Sequence, residues 1–206
     1  MIIDLSLAIT KKCPIFKSAS DAENAKLLSS GHIGTHLDTF LHKPIPLEWI
    51  DRSGILVDLR SAWPDFGPEI GSEALDGYEI RRGDFVILHT GFMNKHEYGT
   101  ESYLRDHPQM AWSLIESLVE AGVSFIGLDA AGLRRGEEHI KADRFCEERE
   151  TYVIENMTGL DLLQEAAPTR FPLRVAWFSN ELMTGIPVKV VAVLPDSVAA
   201  GNRTRA

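Results

Sequence analysis

Seven histidines are spread over 206 residues, yet three of them fall inside Gly31-His32-Ile33-Gly34-Thr35-His36-Leu37-Asp38-Thr39-Phe40-Leu41-His42. Even spacing would put roughly 0.4 of a histidine in a window of that length. His32, His36, Asp38 and His42 also share parity. Neutral imidazole with carboxylate is the usual donor set for Zn²⁺, Mn²⁺ or Fe²⁺ when no thiolate is offered. Three such ligands leave a coordination position open, where a bound water loses a proton near neutral pH and becomes a nucleophile. The spacing constrains the backbone. In an extended strand the Cα atoms of His32 and His36 would stand about 13 Å apart, whereas ligand atoms on one tetrahedral ion lie roughly 3–3.5 Å apart. The segment must bend, and Gly34 is where it can. A helix would also bring i and i+4 together, but Gly34 and Thr35 are poor helix formers. The helical zinc-protease pattern also needs Glu directly after its first His, where Ile33 stands. A histidine-rich surface loop without metal is the other reading that the clustering leaves open.

The segment resembles the His-x-Gly-Thr-His-x-Asp-x-Pro-x-His signature of the metal-dependent cyclase/hydrolase family, which includes bacterial kynurenine formamidase, isatin hydrolase and trans-dienelactone hydrolase. His32, Gly34, Thr35, His36, Asp38 and His42 match it, and Phe40 replaces the usual Pro. The likeness runs on through Ile3-Asp4-Leu5-Ser6 and Leu88-His89-Thr90-Gly91, where His89 stands for the family's Arg. It continues through Phe125-Ile126-Gly127-Leu128-Asp129, Val153-Ile154-Glu155-Asn156-Met157 and Ile186-Pro187-Val188-Lys189. The resemblance implies a swivelling β/β/α fold around a mixed sheet.

It also implies roles. His32, His36 and Asp38 would hold a divalent ion, zinc first, manganese or iron otherwise, and His42 would be the catalytic acid/base. A second ion would use Asp38 as a bridge together with Glu155 and His139, the nearest histidine upstream of Glu155. Phe16 stands where relatives often carry an aromatic that touches substrate. The activity implied is hydrolysis of the carbonyl of a small amide, cyclic amide or lactone by metal-bound hydroxide, close to an arylformamidase. A metal-dependent lyase or cyclase, or a non-catalytic binding protein on the same fold, are the alternatives. An oligomer, homodimer or homotetramer, is expected from the family and from Ile15, Phe16 and Trp49 in an arm of little periodicity, residues 10–53.

The elements that would position these side chains are mostly strands. Apolar runs at Ile2–Ile9, Ile55–Leu59, Phe85–Leu88, Ser124–Leu128, Tyr152–Ile154, Leu173–Phe178 and Val188–Leu194 have strand length and β-branched character. Helical spacing marks Tyr103–Ala121, its regular part starting near Pro108 and its end capped by Gly122. Gly159–Ala167 reads as a second helix and Ser72–Leu75 as a short one. Residues 132–150, with their acidic run Glu147-Glu148-Arg149-Glu150, read as a surface loop and a solvated face. His89, His96 and His107 read as packing or surface residues, and Asp129 as a hydrogen-bonding one. The whole is an α/β single domain over residues 1–195, a mixed β-sheet with flanking helices, followed by a polar tail, residues 196–206.

Composition sets the outer bounds. Hydrophobic residues make up 44% and charged residues 25%, which excludes a disordered or coiled-coil chain. The net charge of −9 argues against nucleic acid or an anionic membrane as partner; a small-molecule substrate is what the resemblance implies. With no basic, apolar leader and two cysteines without CxxC spacing, the reading is a cytoplasmic protein with reduced thiols. There is no Gly-x-Ser-x-Gly nucleophile elbow, so a serine nucleophile is not expected.

Overall fold

The computed structural model describes residues 1–17, 20–62 and 69–195; the tail at 196–206 lies outside the described residues. In chain order the elements are β1 (Ile2–Asp4), α1 (Pro14–Lys17), α2 (Asp21–Ser30), β2 (His36–Asp38), β3 (Asp51–Asp58), β4 (Phe85–His89), α3 (Glu101–Arg105), α4 (Trp112–Ala121), β5 (Phe125–Leu128), α5 (Glu138–Glu148), β6 (Tyr152–Glu155), α6 (Leu160–Ala166), β7 (Phe171–Ala176), β8 (Gly185–Pro187) and β9 (Lys189–Val193). Short 3₁₀ turns occupy Leu47–Ile50 and Ser72–Leu75.

The nine strands form one mixed sheet in the order β1-β9-β7-β3-β4-β5-β6-β2-β8. Its centre, β3 to β6, is parallel, and both flanks are antiparallel. Parallel strands covered on both faces need apolar side chains on both. The sequence supplies them with a period of two. Ile55, Val57, Val86, Leu88, Ile126 and Leu128 enter the core under α3, α4 and α5. Phe85, Ile87 and Phe125 point the other way, to a core with Leu160 and Leu163 of α6. α4 buries Leu114, Ile115, Leu118 and Val119 and stops at Gly122, which takes the left-handed φ of 72°. Pro108 separates it from α3, as its lack of an N–H requires.

Two expectations need correction. Residues 132–150 are not a surface loop: they contain α5, which buries Ala142, Asp143, Cys146 and Glu147. Glu147 of the acidic run is 1% exposed rather than solvated. The arm at 10–53 packs on its own chain, Trp49 meeting Phe125 and Tyr152 edge-on with centroids 5.6 and 6.0 Å apart. Among the described residues no helix is long and apolar enough to cross a membrane.

Candidate metal centre

β2 is three residues long, and its neighbours on both sides put it at the centre of the site. Gly31, at φ 80°, passes so close to the carbonyl of Gly185 that a Cβ there would lie 1.7 Å from its oxygen. That approach seats the signature against the start of β8. Gly34, at φ 60°, then turns the chain between the two histidines. The result is that His32 Nδ1 and His36 Nε2 are 3.2 Å apart. Both face Asp38 Oδ1, at 3.0 and 3.4 Å.

The opposite nitrogens of the two rings are tied down. His36 Nδ1 meets the Gly34 carbonyl at 2.9 Å, which fixes the tautomer and leaves Nε2 with its lone pair toward Asp38. His32 Nε2 meets the Thr184 hydroxyl at 2.8 Å. Asn156 braces the turn from below: its side-chain amide donates to the Gly34 carbonyl at 3.0 Å, and its carbonyl oxygen accepts the Tyr103 hydroxyl at 2.7 Å. Asn156 holds a left-handed φ of 58°, a conformation its short polar side chain tolerates. Its identity as the brace was not signalled by any motif.

Glu155 arrives from β6. Register places it directly opposite His36, with His36 Nε2 3.6 Å from its Oε2. His139, on the first turn of α5, brings Nε2 to 3.4 Å from Glu155 Oε1 and 4.0 Å from Asp38 Oδ2. One helical turn on, Asp143 Oδ2 lies 3.3 Å from the same nitrogen. The ligand-capable atoms thus fall in two groups sharing Asp38. His32, His36 and Asp38 form one; Asp38, His139, Asp143 and Glu155 form the other, with all atoms of each group within 4.8 Å of one another. Asp143 escaped sequence reasoning. The signal available was its place four residues after His139 on what proves to be a helix.

Electrostatically the site is unbalanced. Burial opposes ionisation of Asp38, but the two imidazoles beside it, His36 first and then His32, outweigh it and hold its carboxyl well below the usual range. Asp143 and Glu155 are pushed far upward by burial and then by Asp38 and by other carboxylates around them. Asp38, Asp143 and Glu155 are all 4% exposed or less. Yet both oxygens of Asp38 and Asp143, and Oε1 of Glu155, accept no hydrogen bond. Buried carboxylates in folded proteins are normally paired or coordinate metal. Orphaned oxygens converging with imidazole nitrogens are the donor chemistry of a divalent cation, so the residues present fit a metal centre.

The centre forms the floor of a cavity of about 480 Å³ lined by His32, His36, His139 and Glu155, with Ile15, Tyr98, Leu104 and Ala131 as its apolar wall. The Tyr98 hydroxyl accepts the Gly34 N–H at 2.8 Å, so the wall is built on the same turn as the ligands. Phe16 is not brought to this cavity. On one turn of helix, neighbouring residues point about 100° apart, and α1 turns Ile15 inward instead, packed on Gly99. Phe40, in place of the family's Pro, stacks on His32 with centroids 6.0 Å apart.

His42 does not line the same cavity. It faces a second one of about 310 Å³, with Pro44, Leu47 and Trp177 among its walls. His42 holds a left-handed φ of 53°. Residues 39–43 are clamped by Glu147, which accepts from the Thr39 hydroxyl (2.8 Å) and from the backbone N–H groups of Phe40 (2.7 Å), Leu41 (2.8 Å) and Lys43 (3.2 Å). Asp129 plays a similar structural part, accepting from Thr90 N–H (2.8 Å), Thr90 hydroxyl (2.7 Å) and Gly91 N–H (2.8 Å).

A family model described as "Putative cyclase" matches residues 3–134, well over half of the chain and the whole of the signature. No curated protein sequence matches significantly. Among solved structures the chain is similar to a potential metal-dependent hydrolase with cyclase activity (TM-score 0.70, 19% identity, 95% of this chain and 99% of that one). It is similar to an isatin hydrolase bound to the product analogue thioisatinate (TM-score 0.72, 18% identity, 94% and 92%). It is also similar to isatin hydrolase A from Ralstonia solanacearum (TM-score 0.74, 16% identity, 95% and 92%). At these identities the likeness is one of fold: the expected cyclase-like α/β architecture is present across nearly the whole chain.

Proposed function

The chain belongs to the cyclase family, and from that premise we propose that it is a metal-dependent hydrolase of a small amide, cyclic amide or lactone. The observation that carries this reading is the set of buried, orphaned carboxylate oxygens meeting imidazole nitrogens at the floor of a cavity. In this reading His32 Nδ1, His36 Nε2 and Asp38 hold the first ion, zinc by its two-imidazole donor set, and Asp38, His139 and Glu155 reach toward a second. When bound, such an ion polarises a carbonyl and lowers the pKa of water.

The protein's own residues do the rest. The Gly34 carbonyl and Asn156 hold the His36 ring in one tautomer and orientation. Ile15, Tyr98 and Leu104 shed water from the substrate and offer it an apolar wall, which suits a planar or cyclic carbonyl compound. His42 is proposed to move the proton from the attacking water to the leaving nitrogen or oxygen, a role that requires the loop at 39–43 to bring its ring from the second cavity to the first. Its support is the signature position and a strained backbone of the kind that persists where surrounding contacts over-determine it.

The test is metal analysis of purified protein followed by turnover of cyclic amides, lactones and N-formyl arylamines. Wild type should retain stoichiometric metal after dialysis, and His36→Ala should lose most of it; a wild type that holds none defeats the reading. His42→Ala should keep metal and fold and lower kcat by roughly 10²–10⁴, the usual worth of a positioned acid/base. Loss of metal in that variant would make His42 a ligand, and unchanged kcat would remove it from the reaction.

A further inference from the structure

α5 delivers three polar side chains from one inward face, spaced four residues apart: half-buried His139 and buried Asp143 and Glu147. Glu147 is consumed by the loop at 39–43. Asp143 is not consumed by anything. It is 3% exposed, neither carboxylate oxygen accepts a hydrogen bond, and its nearest polar neighbour is His139 Nε2 at 3.3 Å. An aspartate placed so on a helix interior costs stability unless a cation completes it.

The two donor groups differ in kind. Asp38 turns Oδ1 to His32 and His36, and Oδ2 to His139. On the Oδ1 side two imidazoles meet one carboxylate. On the Oδ2 side one imidazole meets three carboxylates, Asp38, Asp143 and Glu155. Imidazole donors suit zinc, whereas carboxylate-rich sets suit the harder ions manganese and magnesium. We propose that Asp143 is a direct ligand of the second ion, and that the one-imidazole, three-carboxylate set it completes favours zinc over manganese less strongly than the two-histidine position does, so that manganese fills it when zinc is scarce. The proposal rests on the metal-dependent reading above and adds to it a ligand and an asymmetry between the two positions.

The experiment uses the full chain stripped with EDTA and reloaded from a mixture in which Mn²⁺ is in large excess over Zn²⁺, then dialysed. Bound ions are counted by elemental analysis, and protein-bound Mn²⁺ is read by electron paramagnetic resonance. Wild type should hold one zinc and one manganese per chain. Asp143→Asn should hold the zinc and bind Mn²⁺ at least tenfold more weakly. Asp143→Ala should behave the same way, and Asp143→His should shift the second position toward zinc. Melting in EDTA controls for folding: the Asn variant should melt no lower than wild type, because it replaces a buried carboxyl that has no hydrogen-bond partner without changing shape. Unchanged Mn²⁺ affinity and spectrum in Asp143→Asn would overturn the proposal. So would a wild type that fills both positions with zinc, or that takes one zinc and no manganese. A wild type that binds neither ion would remove the metal-dependent reading itself, and the proposal with it.

Discussion

Asp143 and Glu147 stand one helical turn apart on the same face of α5, and both are buried. Glu147 meets four donors from a loop that needs holding. Asp143 meets none. The same residue class on the same face therefore serves two purposes, and hydrogen-bond accounting separates them. A carboxylate whose oxygens are filled by backbone N–H groups is structural, as Asp129 is at the turn after β4. A carboxylate left open beside imidazoles and further carboxylates keeps its lone pairs for something that is not protein. Burial alone would rank Asp143 and Glu147 together; partners divide them.

Truncation should break the pair apart most visibly. Glu147→Ala strands three backbone N–H groups and a hydroxyl under cover, and should cost about 3–5 kcal/mol, the range for removing one side of a buried charged network. Asp143→Ala, measured in EDTA, should cost less than about 1 kcal/mol, because the lost packing is offset by removal of a buried polar group that has no partner. Urea unfolding of both variants against wild type checks this. Equal destabilisation by the two would show that Asp143 has structural partners after all and would erase the distinction.

The contrast also explains what the sequence could and could not announce. The parallel strands were legible because burial on both faces makes each an unbroken apolar run, and β4 and β5 fall where Phe85–Leu88 and Ser124–Leu128 put them. His32, His36 and Asp38 were legible as a cluster because they are close in the chain, and Gly34 as the bend because distance demanded one. α5 was not legible. Its inward face carries half-buried His139 and buried Asp143 and Glu147 where a helix ordinarily carries leucines, so a search for apolar periodicity passes over it. β2 was hidden by being three residues long, and its pairing of His36 with Glu155 is a register between segments more than a hundred residues apart. The placement of His42 beside a second cavity, and of Ile15 rather than Phe16 at the first, depends on loop and helix rotations that no spacing encodes.

The imidazoles offer a smaller version of the same comparison. His36 is buried against Asp38. Burial works to lower its pKa, but the aspartate's charge outweighs it, and the result is a raised value. His107 is buried to a similar degree with no carboxylate beside it. Its Nδ1 meets the Pro108 carbonyl at 3.0 Å, and burial, helped by the charges of Arg135 and His139, pushes its pKa down to about 4. The native state therefore keeps His107 neutral between pH 4 and 6.5, where the unfolded chain protonates it. Stability that is fully present above pH 6.5 is lost as the pH falls through that window, because there the unfolded state binds the extra proton. From pH 7 to 5.5 the loss should be about 1 kcal/mol. Replacing the ring by a neutral amide in His107→Gln should remove that component of the slope, read as the difference between wild-type and variant unfolding free energies at the two pH values with metal present in both. Identical slopes would mean that His107 reaches a charge-stabilising partner or water, and that buried imidazoles here do not sort by their partners as the buried carboxylates do.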